Sequence, residues 1–152
     1  MGIRHRGRER AVQILYEWAL TGRSIERVME GFWRAREEPE PVRVFAGQLA
    51  TGTAEQSESI DALIDRQAVN WRLERLSNVD RGILRLGVYE LLNEKDTPAA
   101  VVIDEAIELA KRFSGEGAGP FVNGILDGIR RRLERSENEG ESGSQTNEVE
   151  AQ

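Results

Sequence analysis

The sequence predicts an all-α fold of about seven helices. Apolar residues recur at three- and four-residue spacings along most of residues 7–134, the periodicity of helices that bury one face. The four prolines, at 39, 41, 98 and 120, all fall at breaks or in first helical turns, where a missing N–H costs little. Polar residues suited to capping, Ser24, Ser77 and Thr97, stand just ahead of apolar stripes. With 152 residues and 39% apolar content, the chain is about one domain long and can bury a core.

The elements follow in order. A first helix is expected over about residues 7–21, with Ala11, Val12, Leu15, Trp18 and Ala19 on one face and Gly22 as its stop. Ser24 caps a second, whose stripe is Ile25, Val28, Met29, Phe32 and Trp33, before the charged residues 36–38 and the Pro39/Pro41 break. Val42, Phe45, Ala46 and Leu49 begin a third, interrupted at Gly52 and the polar residues 53–58. Ile60, Leu63, Ile64 and Ala68 make the fourth face, and Trp71, Leu73 and Leu76 a connecting turn. Ser77 and Asp80 then form a capping box, the hydroxyl accepting the N3 amide and the carboxylate the N-cap amide. The run from Ile83 to Leu92 is apolar on more than one side, which makes the fifth helix central. Thr97 as N-cap and Pro98 as first helical residue open the sixth, with Val102, Ala106, Leu109, Ala110 and Phe113 buried. Residues 114–119 are a glycine-rich connection, Pro120 starts the seventh helix, and Val122, Ile125, Leu126, Ile129 and Leu133 form its inner face.

Charge divides the chain further. The formal net charge is -6, yet residues 1–10 carry four arginines against Glu9, while residues 133–152 carry six acids against Arg135. The expected organisation is a flexible basic arm at 1–6, one helical domain at 7–134 and an acidic, disordered tail at 135–152.

Several function classes lack their residues. Without cysteine there is no disulfide framework, thiolate nucleophile or sulfur-ligated metal. His5 is the single imidazole, so neither a nucleophile–histidine–acid set nor a histidine metal site can be assembled. Asp104, Glu105 and Glu108 read as a solvated helix face. Gly115, Gly117 and Gly119 lie between helices and lack the lysine and hydroxyl of a phosphate-binding loop. No catalytic residue, metal or cofactor is expected, and the chain is not read as an enzyme. No apolar run is long enough to span a bilayer and no signal peptide is evident, so a cytoplasmic location is expected.

The candidate site lies at the amino end. Arg4 and Arg6 on an arm, with Arg8 and Arg10 at a helix start, could wrap phosphates. Guanidinium forks match phosphate oxygens and stack on exposed bases, which suits a bendable single strand whose binding falls with salt by about 0.7 log unit per phosphate neutralised. Charge pattern alone leaves open a solubilising terminus, or an arm drawn to the acidic tail. Trp18, Phe32, Trp33, Phe45 and Phe113 sit on apolar stripes and read as core. Tyr16, close to the arginines, could stack on a base or belong to the core. Phe121 follows Pro120 at a helix start, where free amides attract anions; a base platform, a partner anchor and a hydrophobic staple are alternatives there.

Four ordered motifs, RERAVQILY from Arg8, NVDRGILRLGVYEL from Asn78, AIELAK from Ala106 and FVNGILD from Phe121, resemble the NusB transcription antitermination factor family. The resemblance implies two small packed helical bundles in a cytoplasmic protein. It also implies pairing with NusE, which is ribosomal protein S10, to hold the boxA element of single-stranded nascent RNA. The RNA polymerase antitermination complex so formed supports ribosomal RNA transcription. By the same comparison Arg6, Arg8, Arg10 and Tyr16 match an RNA-contacting region, with Arg4 on a more variable arm. Asp80, Arg81, Phe121 and Val122 match the surface that receives NusE and RNA, Phe121 being assigned to either. The glycine-rich 114–119 connection and the acidic tail depart from the family pattern. Two other readings are a noncatalytic protein–protein adaptor or homodimer without direct RNA contact, and an RNA-modifying enzyme, for which the chain has no strand-rich catalytic domain.

Overall fold

The computed structural model describes residues 2–70 and 76–150. Among them are α1 (Ile3–Thr21), α2 (Ile25–Arg34), α3 (Glu40–Glu55), α4 (Ser57–Gln67), a 3₁₀ turn at Ala68–Asn70, α5 (Asn78–Asn93), α6 (Ala99–Phe113) and α7 (Ala118–Glu150). The expected all-α class and seven helices are borne out over these residues. The connection expected at Trp71 and Leu73 lies outside them.

Helices α1–α3 make one bundle and α4–α7 the other. The main joint is α1 and α3 against α5: α1 packs on α2, α3 and α5, α3 also touches α4, and α5 packs on α1, α3, α4, α6 and α7. The apolar stripes face inward as their spacing requires. A large core draws Ala11, Leu15, Leu49, Ile64, Leu84, Leu109 and Ile125 from six helices, and a smaller one gathers Ile14, Ile25, Val28, Phe32 and Ala50. Among the described residues no helix is long and apolar enough to cross a membrane.

Local chemistry sets the helix ends. Gly22 takes the left-handed conformation (φ 69°) and its N–H donates to the Trp18 carbonyl, a stop that a Cβ would strain. Ser24 and Ser77 cap as expected, their hydroxyls accepting the N–H of Arg27 at 3.3 Å and of Asp80 at 3.1 Å. The reciprocal half of the capping box is not made through Asp80 Oδ1, which is buried without a hydrogen-bond partner.

Four boundaries differ from the sequence reading. α1 begins at Ile3, not near residue 7, because the side chains of residues 4–6 find partners on distant segments. Pro98, not Thr97, is the N-cap of α6; the Thr97 hydroxyl instead accepts a hydrogen bond from Arg4 Nη1 at 3.0 Å. α3 runs through Gly52 to Glu55, and Gln56 alone separates it from α4. Gly52 is a contact point and not a break, since a Cβ there would overlap the Tyr89 ring on α5. α7 begins at Ala118, holds Pro120 in its first turn, and continues to Glu150, past residue 134 where the sequence reading ended it. Beyond that point its described side chains are exposed. The Arg130–Glu134 and Lys95–Glu137 pairs, at 3.0 and 3.1 Å, support its first part there in place of a buried face.

Gly7 fixes how closely α1 approaches α3, because a Cβ would push into the Phe45 ring. Gly7→Ala is therefore expected to lower unfolding stability by about 1–3 kcal/mol, the usual cost of overpacking, as read from urea denaturation.

Candidate nucleic-acid interface

Helical geometry sorts the four amino-terminal arginines into two pairs. Residues four apart share a face, so Arg4 and Arg8 look one way and Arg6 and Arg10 another. The guanidinium carbons of Arg4 and Arg8 lie 5.3 and 5.8 Å from the centre of the Phe45 ring on α3. Arg6 and Arg10 instead converge on Glu38, in the connection between α2 and α3.

Arg8 is only 3% exposed and its charge is held internally. Nε donates to both oxygens of Glu90 at 3.0 and 3.1 Å, and Nη2 to Oε1 at 2.8 Å. Burial pushes the Glu90 carboxyl up from the ordinary carboxylate value, and the Arg8 hydrogen bonds and charge only partly oppose this. Around the pair lie further charges. His5 spans Glu105 and Glu9, its ring nitrogens 2.9 and 3.1 Å from their oxygens. Glu9 Oε1 sits 2.8 Å from Arg112 Nη1, an ionic approach outside hydrogen-bond geometry.

The Arg6/Arg10 pair is nearer solvent. Arg6 Nε and Arg10 Nε donate to Glu38 Oε1 at 2.7 and 2.8 Å, and Arg10 Nη2 lies 2.7 Å from the same oxygen. Arg10 Nη1 also donates to the Gln13 side chain at 2.9 Å. The Arg6 side chain is 36% exposed, while that of Glu38 is 5% exposed. Burial works against ionisation of Glu38, but hydrogen bonds and charge from Arg10 and Arg6 outweigh it and hold the carboxyl below the ordinary range.

The remaining candidates are separated. Tyr16 lies further along α1 and is 38% exposed. Asp80 and Arg81 open α5 beside a shallow groove of about 360 Å³ lined by Trp18, Ala19, Gly22, Asn78, Arg81 and Arg85. There Asp61 of α4 accepts two hydrogen bonds from Arg85, both at 2.8 Å. Phe121, in the first turn of α7, is half-buried against the large core, and Val122 is wholly buried in it. Val122 therefore supports the start of α7 from beneath. Sequence reasoning passed over Glu38 and Glu90, although an acid within the apolar Leu86–Leu92 run signals a buried cation. Among the described residues no group of three or more His, Cys, Asp or Glu side chains could hold a metal ion.

Two joined helical bundles, with an arginine cluster built on the first helix, define the class: an all-helical protein of two packed bundles. The chain belongs to the NusB family, whose model matches residues 5–131. Its function is that of the family, transcription antitermination. It is 45% identical over 135 residues to the transcription antitermination protein NusB of Sorangium cellulosum, an alignment covering 89% of this chain and 96% of that one. The NusB of Myxococcus xanthus is 42% identical, with 89% and 99% covered. Among solved structures, T. maritima NusB superposes with a TM-score of 0.75 at 40% identity, covering 84% and 90%. A chain in the crystal structure of antitermination factors NusB and NusE in complex with dsRNA gives 0.78 at 29% identity, covering 87% and 98%.

Two stability outcomes follow from the ion pairs. Glu90→Gln should strand the Arg8 guanidinium in the core and cost about 3–5 kcal/mol. The pair Arg8→Met and Glu90→Leu together should cost far less than the sum of the singles in a urea-denaturation cycle. Glu38 has a folded pKa below its ordinary value of 4.5, so its contribution is present above that value and is lost as pH falls through the folded one. The stability gap between wild type and Glu38→Gln should accordingly shrink on acidification from neutral pH to below 4.5, as followed by thermal unfolding.

Proposed function

We propose that this protein holds the boxA element of nascent RNA jointly with NusE, ribosomal protein S10, within the RNA polymerase antitermination complex that supports ribosomal RNA synthesis. Arg4, Arg6 and Arg10 supply the phosphate contacts, and exposed Tyr16 a stacking or hydrogen-bonding surface. Arg8 anchors the helix that carries them. Asp80 and Arg81, with Phe121 seated over Val122, contribute to the surface that receives NusE and RNA.

The observation that carries this reading is the arginine pair held one helical turn apart on α1, Arg6 with its side chain 36% exposed and Arg10 with 16%. Cations whose backbone is already folded into a helix lose less conformational entropy on meeting phosphates than cations on a loose arm. The family membership and the likeness to a chain crystallised with NusE and RNA support the same reading. No enzymatic step is involved: two weak contacts made together raise effective concentration, so the ternary complex is tighter than either pair.

The test is a salt titration of binding to a boxA-like single strand, with and without NusE. Wild type should bind much more tightly when NusE is present. Replacing Arg6 and Arg10 by Gln should weaken binding and flatten the dependence on log salt by about 0.7 for each phosphate no longer neutralised. Unchanged affinity and slope in that variant would favour an adaptor or homodimer without direct RNA contact. RNA binding indifferent to NusE would remove the shared site.

A further inference from the structure

We infer that Glu38 is a built-in competing anion that makes the Arg6/Arg10 pair selective for a strand of phosphates over isolated ones. This selectivity rests on the RNA-binding reading above and adds a specificity-determining residue to that site.

The geometry resembles an occupied anion site. One carboxylate oxygen, Oε1, accepts from Arg6 Nε at 2.7 Å and from Arg10 Nε at 2.8 Å, with Arg10 Nη2 also 2.7 Å away. Two guanidinium groups closing on one oxygen present to it what they would present to a phosphate oxygen. The carboxylate comes from another part of the chain, 28 and 32 residues away, so helix geometry does not bring it there. The α2–α3 connection delivers it. Pro39 is the N-cap of α3, and just before it the Arg36 guanidinium stacks over Phe32 at 4.0 Å, which pins both sides of Glu38.

Mobility and charge then decide what can bind. Glu38 is nearly buried, whereas Arg6 is over a third exposed and long arginine side chains can swing outward on their stems. Two guanidiniums and one carboxylate leave a single net positive charge at the cluster, and Glu9, 3.6 Å from Arg6, dilutes it further. A lone phosphate must displace an intramolecular carboxylate already in place and gains little. A polynucleotide can draw Arg6 and Arg10 onto adjacent phosphates while other parts of the strand hold on elsewhere, so displacement costs it proportionately less. Glu38 therefore lowers the intrinsic affinity of the pair and raises its discrimination.

Glu38→Gln preserves size and one hydrogen-bond acceptor while removing the competing charge; Glu38→Ala removes both. Each would be compared with wild type and with the Arg6→Gln/Arg10→Gln double variant, using a boxA-like single strand and a mononucleotide as ligands, with circular dichroism and thermal unfolding as checks on folding. Glu38→Gln is expected to bind the strand about fivefold more tightly, the effect of one unit charge about 4 Å away in water. The log-salt slope should steepen by up to about 0.7 for one more phosphate engaged. The mononucleotide should gain proportionately more than the strand. If folded Glu38→Gln and Glu38→Ala both bind the strand no better than wild type, while the double arginine variant binds worse, Glu38 merely positions the arginines; its role as a competitor falls and the RNA-binding reading stands. If neither wild type nor any variant binds the strand, with or without NusE, both fall together.

Discussion

The buried pairing of Arg8 with Glu90 is the constraint around which the rest is arranged. Two charges inside a protein cost several kcal/mol each to desolvate, and three hydrogen bonds of 2.8–3.1 Å recover that cost only in one relative placement of α1 and α5. These two helices meet at the joint between the bundles, so the pair acts on the seam of the molecule. It sets the rotation of α1 about its own axis. With Arg8 turned inward, Arg6 and Arg10 must emerge on a neighbouring face, where Glu38 meets them. A core of apolar contacts alone would tolerate a few degrees of slippage; a bidentate ion pair does not.

Most of the architecture was legible in the chain. The inner faces of α3, α5, α6 and α7 can be read from residue spacing, because burial of one face is a local, periodic demand. Gly22, Ser24 and Ser77 end or begin helices through contacts within four residues, and these too were readable. Three of the four misjudged boundaries share a cause. Thr97 is diverted from capping by Arg4, Gly52 is needed by Tyr89, and residues 4–6 are drawn into α1 by partners at positions 38, 97 and 105. In each case a partner far along the sequence outweighs the local signal.

The candidate site was legible as a composition and illegible as a geometry. Alternating arginines are plain in the sequence, but which of them is spent inside cannot be known before Glu90 is placed 82 residues away. The helix resolves the ambiguity, since a repeat of two on a scaffold of 3.6 residues per turn splits one row of cations into two faces. Glu38 stayed hidden for a related reason. Ahead of two prolines and beside Glu37 it reads as ordinary loop charge, and only the path of the α2–α3 connection brings it over α1.

The distance in sequence between the two halves of the buried pair bears on how the protein is made. At roughly 5–20 residues per second, Glu90 leaves the ribosome on the order of 4–16 s after Arg8. For that interval the guanidinium has no carboxylate to meet, although α2 and α3 already offer α1 an apolar face. Synthesis from the amino end therefore leaves the charge of the first helix unmatched until the fifth has emerged: α1 to α3 can gather early, but their final register waits on a residue made later.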